Sequence, residues 1–555
     1  MRMTTVCGAV LALICLLISK PAAEPPSFDS VKRDYDQSVD RVSLNKRWRG
    51  MVKLADTRDQ RAFDILAKRY ERPDDPGEAL AYVVVEVCAT RFTDAKFADA
   101  WDAWAKRNTH DRDAWLWFNA AKLVYAAKGS DSLIESVQDA KLSPYLRAAV
   151  IEALATKLDD KVLALVPAWL DALPDKGAER AVMLEACGSL IRAHSTKIDN
   201  PEYRALLERL ALQLDDKKTE ERSKYVLGRM LRTILKTDSI ALESKPWVEL
   251  LHNVEPKDPP KKPSRYSEKK PKFLGIEGAG KRVAYVIDLS DSMLIPLTAK
   301  EKEELKKPLT GEKRERKEGA IPPKEEPKDP KMPTEKDLPW DKINNRFEAA
   351  REFLKLSLRT LDKEMFFVIV GFGNDAETLT GKGIIPATKQ NIDQAIRMLD
   401  EIKPGPAEPP LRPDGTLKGL TNLQGGMLRA FRAVTGNALP GEEHVAKTGF
   451  EQGVDTVFLL SDGAPSWDDY ATKDKPDPDD IVGDPETGQP LPATEYLIFQ
   501  GPYIVSDYLL QTISRMNLLR KCEIHCIGLG EANFTLLDSI AKIGRGQVRK
   551  VGNEK

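Results

Sequence analysis

Asp288, Ser290 and Ser292 occupy alternate positions in VAYVIDLSDSM, directly after a run of apolar, strand-like residues. One carboxylate and two hydroxyls, set where a buried strand surfaces into a loop, present the hard oxygens that a hard divalent cation takes as ligands. A cation held by so few protein oxygens keeps positions open for an oxygen from elsewhere, which is binding chemistry rather than turnover. Ser290 has no adjacent base and reads as a ligand, not a nucleophile. The five histidines are scattered, so neither a zinc site nor a Ser/His/Asp triad can be assembled. Gly275, Gly280 and Lys281 have the spacing of a phosphate loop. However, Arg282 stands where Ser or Thr is required, and the motif precedes a strand instead of following one.

The elements that must position these residues alternate in type. Strands are expected at 283–288, 365–372, 454–460, 523–529 and 547–551, with a short edge strand at 376–379. Helices are expected between them at 347–361, 391–402, 423–434, 503–519 and 535–543. Strands separated by amphipathic helices imply an α/β region with a parallel sheet covered on both faces. Ligands of such a sheet lie at the carboxyl ends of its strands.

With Asp288-x-Ser290-x-Ser292 first, Thr421 in KGLTNLQGGM where the family carries a lone threonine before a helix, and Asp462 in FLLSDGAP where it places an aspartate followed by glycine after a central strand, residues 273–553 resemble a von Willebrand factor A (vWA) domain. FVIVGFGNDAETL and IHCIGLGEANFTLLDSIAKIGRGQV extend the resemblance to the second strand with its neighbouring edge and to the closing strand–helix–strand unit. It implies a doubly wound, Rossmann-like fold with a metal-ion-dependent adhesion site (MIDAS). It further implies that Ser290, Ser292 and Thr421 offer hydroxyl oxygens to Mg²⁺ or Mn²⁺, while Asp288 and Asp462 bind directly or through water. A partner protein's Asp or Glu would then replace a water on the metal. The chain departs from the family in three insertions, all leaving from the metal-bearing edge: a charged one at 296–340, a Pro-rich one at 404–415 and an acidic one at 466–500. They read mainly as solvated loops; the sharper alternative is that they cap the ligand face.

Residues 28–252 read as an all-α solenoid. Apolar residues recur at helical spacing in 79–88, 115–125, 146–158, 181–191 and 225–235, with partner helices such as 162–173 and 203–214. The pattern resembles HEAT-type repeats, with a period of roughly 31–44 residues, which would offer an extended surface; a compact irregular helical domain is the alternative. Trp101, Trp104, Trp115 and Trp117 fall on neighbouring expected helices, where core packing is a better account than an aromatic binding box. A Pro/Lys-rich linker spans 253–272. Residues 1–23 have the charged start, apolar run and small-residue end of an export signal, although Pro21 leaves an uncleaved membrane anchor as the alternative.

Composition narrows the class. At 555 residues the chain exceeds a single core. With 85 Lys+Arg against 86 Asp+Glu there is no global field for nucleic acid. Cys88 and Cys187 fall on expected helices. Cys522 and Cys526 share an expected strand about 13 Å apart at ~3.3 Å per residue, too far for a disulfide, so all four read as buried apolar residues.

The expectation is therefore a multidomain, exported and non-enzymatic protein, periplasmic, cell-surface or secreted. It would bind an acidic group of a partner protein through a divalent metal, with no nucleic acid and no integral membrane domain beyond the signal. The alternative is a vWA subunit assisting an ATPase or a metal-insertion complex.

Overall fold

The structure is a computed structural model describing residues 27–39, 44–71, 78–237, 241–252, 270–307, 334–405, 415–417, 419–466 and 503–552. The expected signal, nearly all of the linker and most of each insertion lie outside the described residues. The rest forms an N-terminal helical region and a C-terminal α/β region with a mixed sheet.

The sheet contains β1 (Arg282–Asp288), β2 (Phe366–Phe372), β3 (Ala376–Thr378), β4 (Ile385–Pro386), β5 (Thr456–Ser461), β6 (Glu523–Leu529) and β7 (Val548–Val551). Its order is β7-β6-β5-β1-β2-β3, with β4 also paired to β2. Five strands run parallel, and β3 and β4 oppose β2 at the edge. Period-two alternation sends Ala284 and Val286 into one core and Val283, Tyr285 and Ile287 into the other. Burial on both faces explains why β1 reads as an unbroken apolar run. Helices Leu423–Arg432, Ser506–Asn517 and Phe534–Gly544 cover the first face; Arg346–Thr360 and Lys389–Glu401 cover the second. After β1 the chain moves out to β2, then returns across β1 to β5 and leaves the other way. The carboxyl ends of β1 and β5 therefore flank the point where the winding reverses, which is where open α/β sheets bind ligands.

In the helical region, Pro144–Leu154 packs between Ala114–Lys128 and Gly177–Ala193. Ser143 caps its first turn, and Pro144 sits where no amide partner is needed. Residues 148–154 are buried on every side, as expected of a helix inside a core. The single helix expected at 162–173 is instead two, Asp160–Leu163 and Val166–Asp171. Pro167 cannot donate an interior helical bond, so a new helix starts there. The four tryptophans named above are all buried.

One buried cluster runs through the helical region and the first face of the sheet. Trp48 meets Tyr508, Tyr82 meets His444 and Tyr145 meets Phe450 edge-on or tilted across the junction. Lys521 pairs with Glu152 at 2.8 Å, and Arg222 donates to the carbonyl of Arg520. This side of the helical region is thus an internal interface, not the free, extended surface expected of a solenoid.

The bulk of the charged insertion lies outside the described residues. Its ends are packed rather than solvated: Thr298 and Glu301 form a capping box on Ala299–Lys306, and Leu297, Leu305 and Leu338 are buried. Arg549 of β7 binds the carbonyls of Glu304 and Lys307 at 2.9 and 3.2 Å, closing that helix end onto the sheet. Cys88, Cys187, Cys522 and Cys526 are free and buried, as expected. No helix among the described residues is long and apolar enough to cross a membrane.

Candidate metal centre

Asp288 is the last residue of β1, and Asp462 directly follows β5. Both are buried, with Asp288 wholly inaccessible. Asp288 Oδ1 accepts the Ser290 amide at 2.9 Å, and Oδ2 accepts the Ser461 hydroxyl at 2.6 Å. The Asx turn made by the first bond folds the loop so that Ser290 Oγ lies 3.0 Å from Ser292 Oγ. Ser292 Oγ in turn donates to Asp462 Oδ1 at 2.7 Å. One chain of oxygens thus links the ends of the two central strands.

Thr421 reaches this place through its neighbours. The Leu420 amide donates to Asn374 Oδ1 and the Asn422 amide to the Gly373 carbonyl, both at 2.8 Å, so the loop is tied to the carboxyl end of β2. The Asp291 amide donates to the Gly419 carbonyl at 3.0 Å, tying it also to the loop after β1. Asn422 then caps Leu423–Arg432 by accepting the Gly425 amide. A first side-chain carbon added at Gly463 would lie 3.8 Å from Thr421 Oγ1 and 3.9 Å from Ser292 Oγ. Those two hydroxyls therefore face the same small space, which glycine leaves open. All five residues singled out from the sequence meet at this edge.

Three contributors had no separate signal in the sequence. Ser461 holds Asp288, and Ser466 accepts the Thr421 amide at 3.0 Å. Arg346, at the start of its helix and buried, donates to Asp462 Oδ2 at 2.8 Å and lies 4.0 Å from Glu301. Asp462 thus has a cationic partner. Asp288 has none within ion-pair distance among the described residues. Burial, and then the nearby Asp462 carboxylate, push Asp288 up to about 7.

The donor set is mostly hydroxyl. Among the described residues, no three His, Cys, Asp or Glu side chains come together as a metal site. Two carboxylates and three hydroxyls suit Mg²⁺ or Mn²⁺, which accept neutral oxygens and retain water, better than zinc, which takes nitrogen and sulfur. The phosphate-loop look-alike lies before β1, at the opposite edge, where the Asp455 carboxylate accepts the amides of Lys281 and Arg282. No family model matches this chain, and no curated protein matches it.

Proposed function

We propose that the C-terminal region is a von Willebrand A-like domain whose MIDAS binds Mg²⁺ or Mn²⁺, preceded by a HEAT-like helical array. The protein, exported, uses that metal to hold an acidic group of a partner protein and is not an enzyme. The observation that carries this reading is the meeting of Asp288, Ser290, Ser292, Thr421 and Asp462 where the winding of the sheet reverses. The strand order, five parallel strands with an antiparallel edge beside β2, suits the same fold.

The residues divide the work. Ser290, Ser292 and Thr421 supply neutral oxygens, so the bound cation keeps most of its charge. Asp288, buried without a cationic neighbour among the described residues, gains most from a divalent ion, because the ion favours its charged form. Arg346 fixes Asp462 by one oxygen and leaves the other toward Ser292. When bound, the metal supplies a Lewis-acidic position for an incoming carboxylate. The hydroxyls are held as oxygen donors by each other and by Asp462, an arrangement for ligation and not for nucleophilic attack.

Mg²⁺ or Mn²⁺ at about 100 times its dissociation constant should stabilise the full chain by about 2.7 kcal/mol. A rise in melting temperature in the parent protein, absent in Asp288→Ala, is the expected result. An equal rise in the variant would move the metal elsewhere. Pull-down of an acidic partner from an envelope fraction should fail in the presence of chelator, and persistence there would overturn the binding role.

A further inference from the structure

A cavity of about 200 Å³ lies between the helical region and the amino end of β6, at the sheet edge opposite the candidate metal centre. Its wall carries Arg192, Arg229, Arg232, Lys521 and Arg545 against a single carboxylate, Glu523. Lys521 is paired with Glu152 at 2.8 Å, and Arg232 with Glu523 at 3.8 Å. Among the described residues Arg192, Arg229 and Arg545 have no carboxylate within ion-pair distance. Arg229 donates to the Lys521 carbonyl at 2.5 Å and Arg545 to Ser189 Oγ at 3.4 Å. The Nε of Arg192 is buried with no hydrogen-bond partner among the described residues.

A plainer account of the cations exists. The helices Gly177–Ala193, Glu221–Leu235, Ser506–Asn517 and Phe534–Gly544 all end at this wall. Helix carboxyl ends favour nearby positive charge. That accounts for Arg192, in the last turn of Gly177–Ala193, and for Arg545, the cap of Phe534–Gly544, but not for Arg229, whose carbonyl partner Lys521 lies outside any helix, or for so many cations around one hollow. Desolvation and the neighbouring Arg192 and Arg229 hold Arg545 down at about 10 against the attraction of Glu152 and Glu185, although the residue is exposed to solvent. Burial likewise lowers Lys521 to about 8. Crowded, partly desolvated like charges that suppress one another are what a multivalent anion relieves.

We infer that this cavity binds a small phosphorylated compound, its phosphoryl oxygens taken by the guanidinium groups of Arg192, Arg229 and Arg545. Arginine forks match phosphate oxygens in pairs. The volume equals the share of roughly six or seven liquid waters at about 30 Å³ each, enough for a phosphate or pyrophosphate group with a short aliphatic remainder. Among the described residues no aromatic side chain lines the wall to stack a base, which argues against a nucleoside. Because both regions contribute arginines, the ligand would cross-link them.

The test is calorimetric titration of the full-length protein with inorganic phosphate, pyrophosphate and chloride at matched ionic strength, with melting curves alongside. Saturable one-to-one binding of phosphate and pyrophosphate, with a raised melting temperature and no such effect of chloride, is expected. Arg192→Gln with Arg545→Gln should weaken pyrophosphate binding at least tenfold while leaving the Mg²⁺-dependent shift intact. Equal responses to chloride, or unchanged affinity in the double variant, would overturn the proposal. If the double variant does not fold, Arg545→Gln alone should still weaken binding at least threefold, since that side chain is water-accessible; unchanged affinity there would equally overturn it.

Discussion

Asp462 is held from two sides: Ser292 donates to one carboxylate oxygen and Arg346 to the other. Both members of the ion pair are buried, so removing Arg346 alone leaves a carboxylate with neither water nor a counter-charge. Breaking such a pair typically costs about 3–5 kcal/mol, whereas replacing both members costs far less. Arg346→Met should therefore lower the urea midpoint sharply, and adding Asp462→Asn should recover much of the loss. A cost under about 1 kcal/mol for Arg346→Met would mean that Asp462 does not depend on this cation. Asp288, Ser290 and Ser292 were legible in the sequence because their spacing and the strand before them state a loop geometry. Arg346 was not, because it stands 116 positions from the aspartate it binds and its partner is set by packing alone.

Thr421 is positioned by an element that must approach the sheet closely. The helix Leu423–Arg432 crosses β1 and β2, and a carbon added at Gly426 would lie 2.7 Å from Phe372 Cδ1 and 3.0 Å from Val286 Cγ1. Gly426→Val should cost about 1–3 kcal/mol through overpacking and push the helix outward. Because Asn422 caps that helix, Thr421 should move with it, so denaturant melts and Mg²⁺-dependent melting shifts should both fall. Loss of stability with a full metal response would show that the loop, tied to Gly373 and Asn374, holds Thr421 without the helix. The buried strands and amphipathic helices were readable here to within a few residues, since burial on both faces or on one writes itself into the apolar pattern. β4 was not, because two residues carry no periodicity. Nor was Ala299–Lys306, whose charged sequence folds because Thr298 and Glu301 cap it and Arg549 closes its end.

The joining of the two regions had no signal in the sequence, because each half of the shared core is apolar for its own local reasons and nothing in either names the other. It has a titratable consequence in Glu86, on Glu78–Arg91, which packs against Ser506–Asn517 of the α/β region. Glu86 is wholly inaccessible, and neither carboxylate oxygen has a hydrogen-bond partner among the described residues. Burial pushes it up to about 8, opposed by Arg515, with Tyr508 the other titratable group facing it from that helix. From pH 4.5 to 8 the folded protein therefore keeps a proton that the unfolded chain has released, so this group's contribution to stability falls as pH rises. Below about 6.5 that trend is opposed by His444, which burial and Arg515 hold down at about 3 and which favours folding as pH rises between 3 and 6.5. The window in which Glu86 stands clear of His444 is pH 6.5 to 8. There the parent protein should lose stability relative to Glu86→Gln at about 1.4 kcal/mol per pH unit near pH 6.5, falling to about half that at pH 8. Comparing the two proteins cancels Asp288 and the other groups titrating nearby, and comparing slopes cancels the fixed cost of a buried amide. Parallel urea-derived stability profiles across pH 6.5 to 8 would mean that water reaches Glu86, and hence that the junction between the two regions is open in solution.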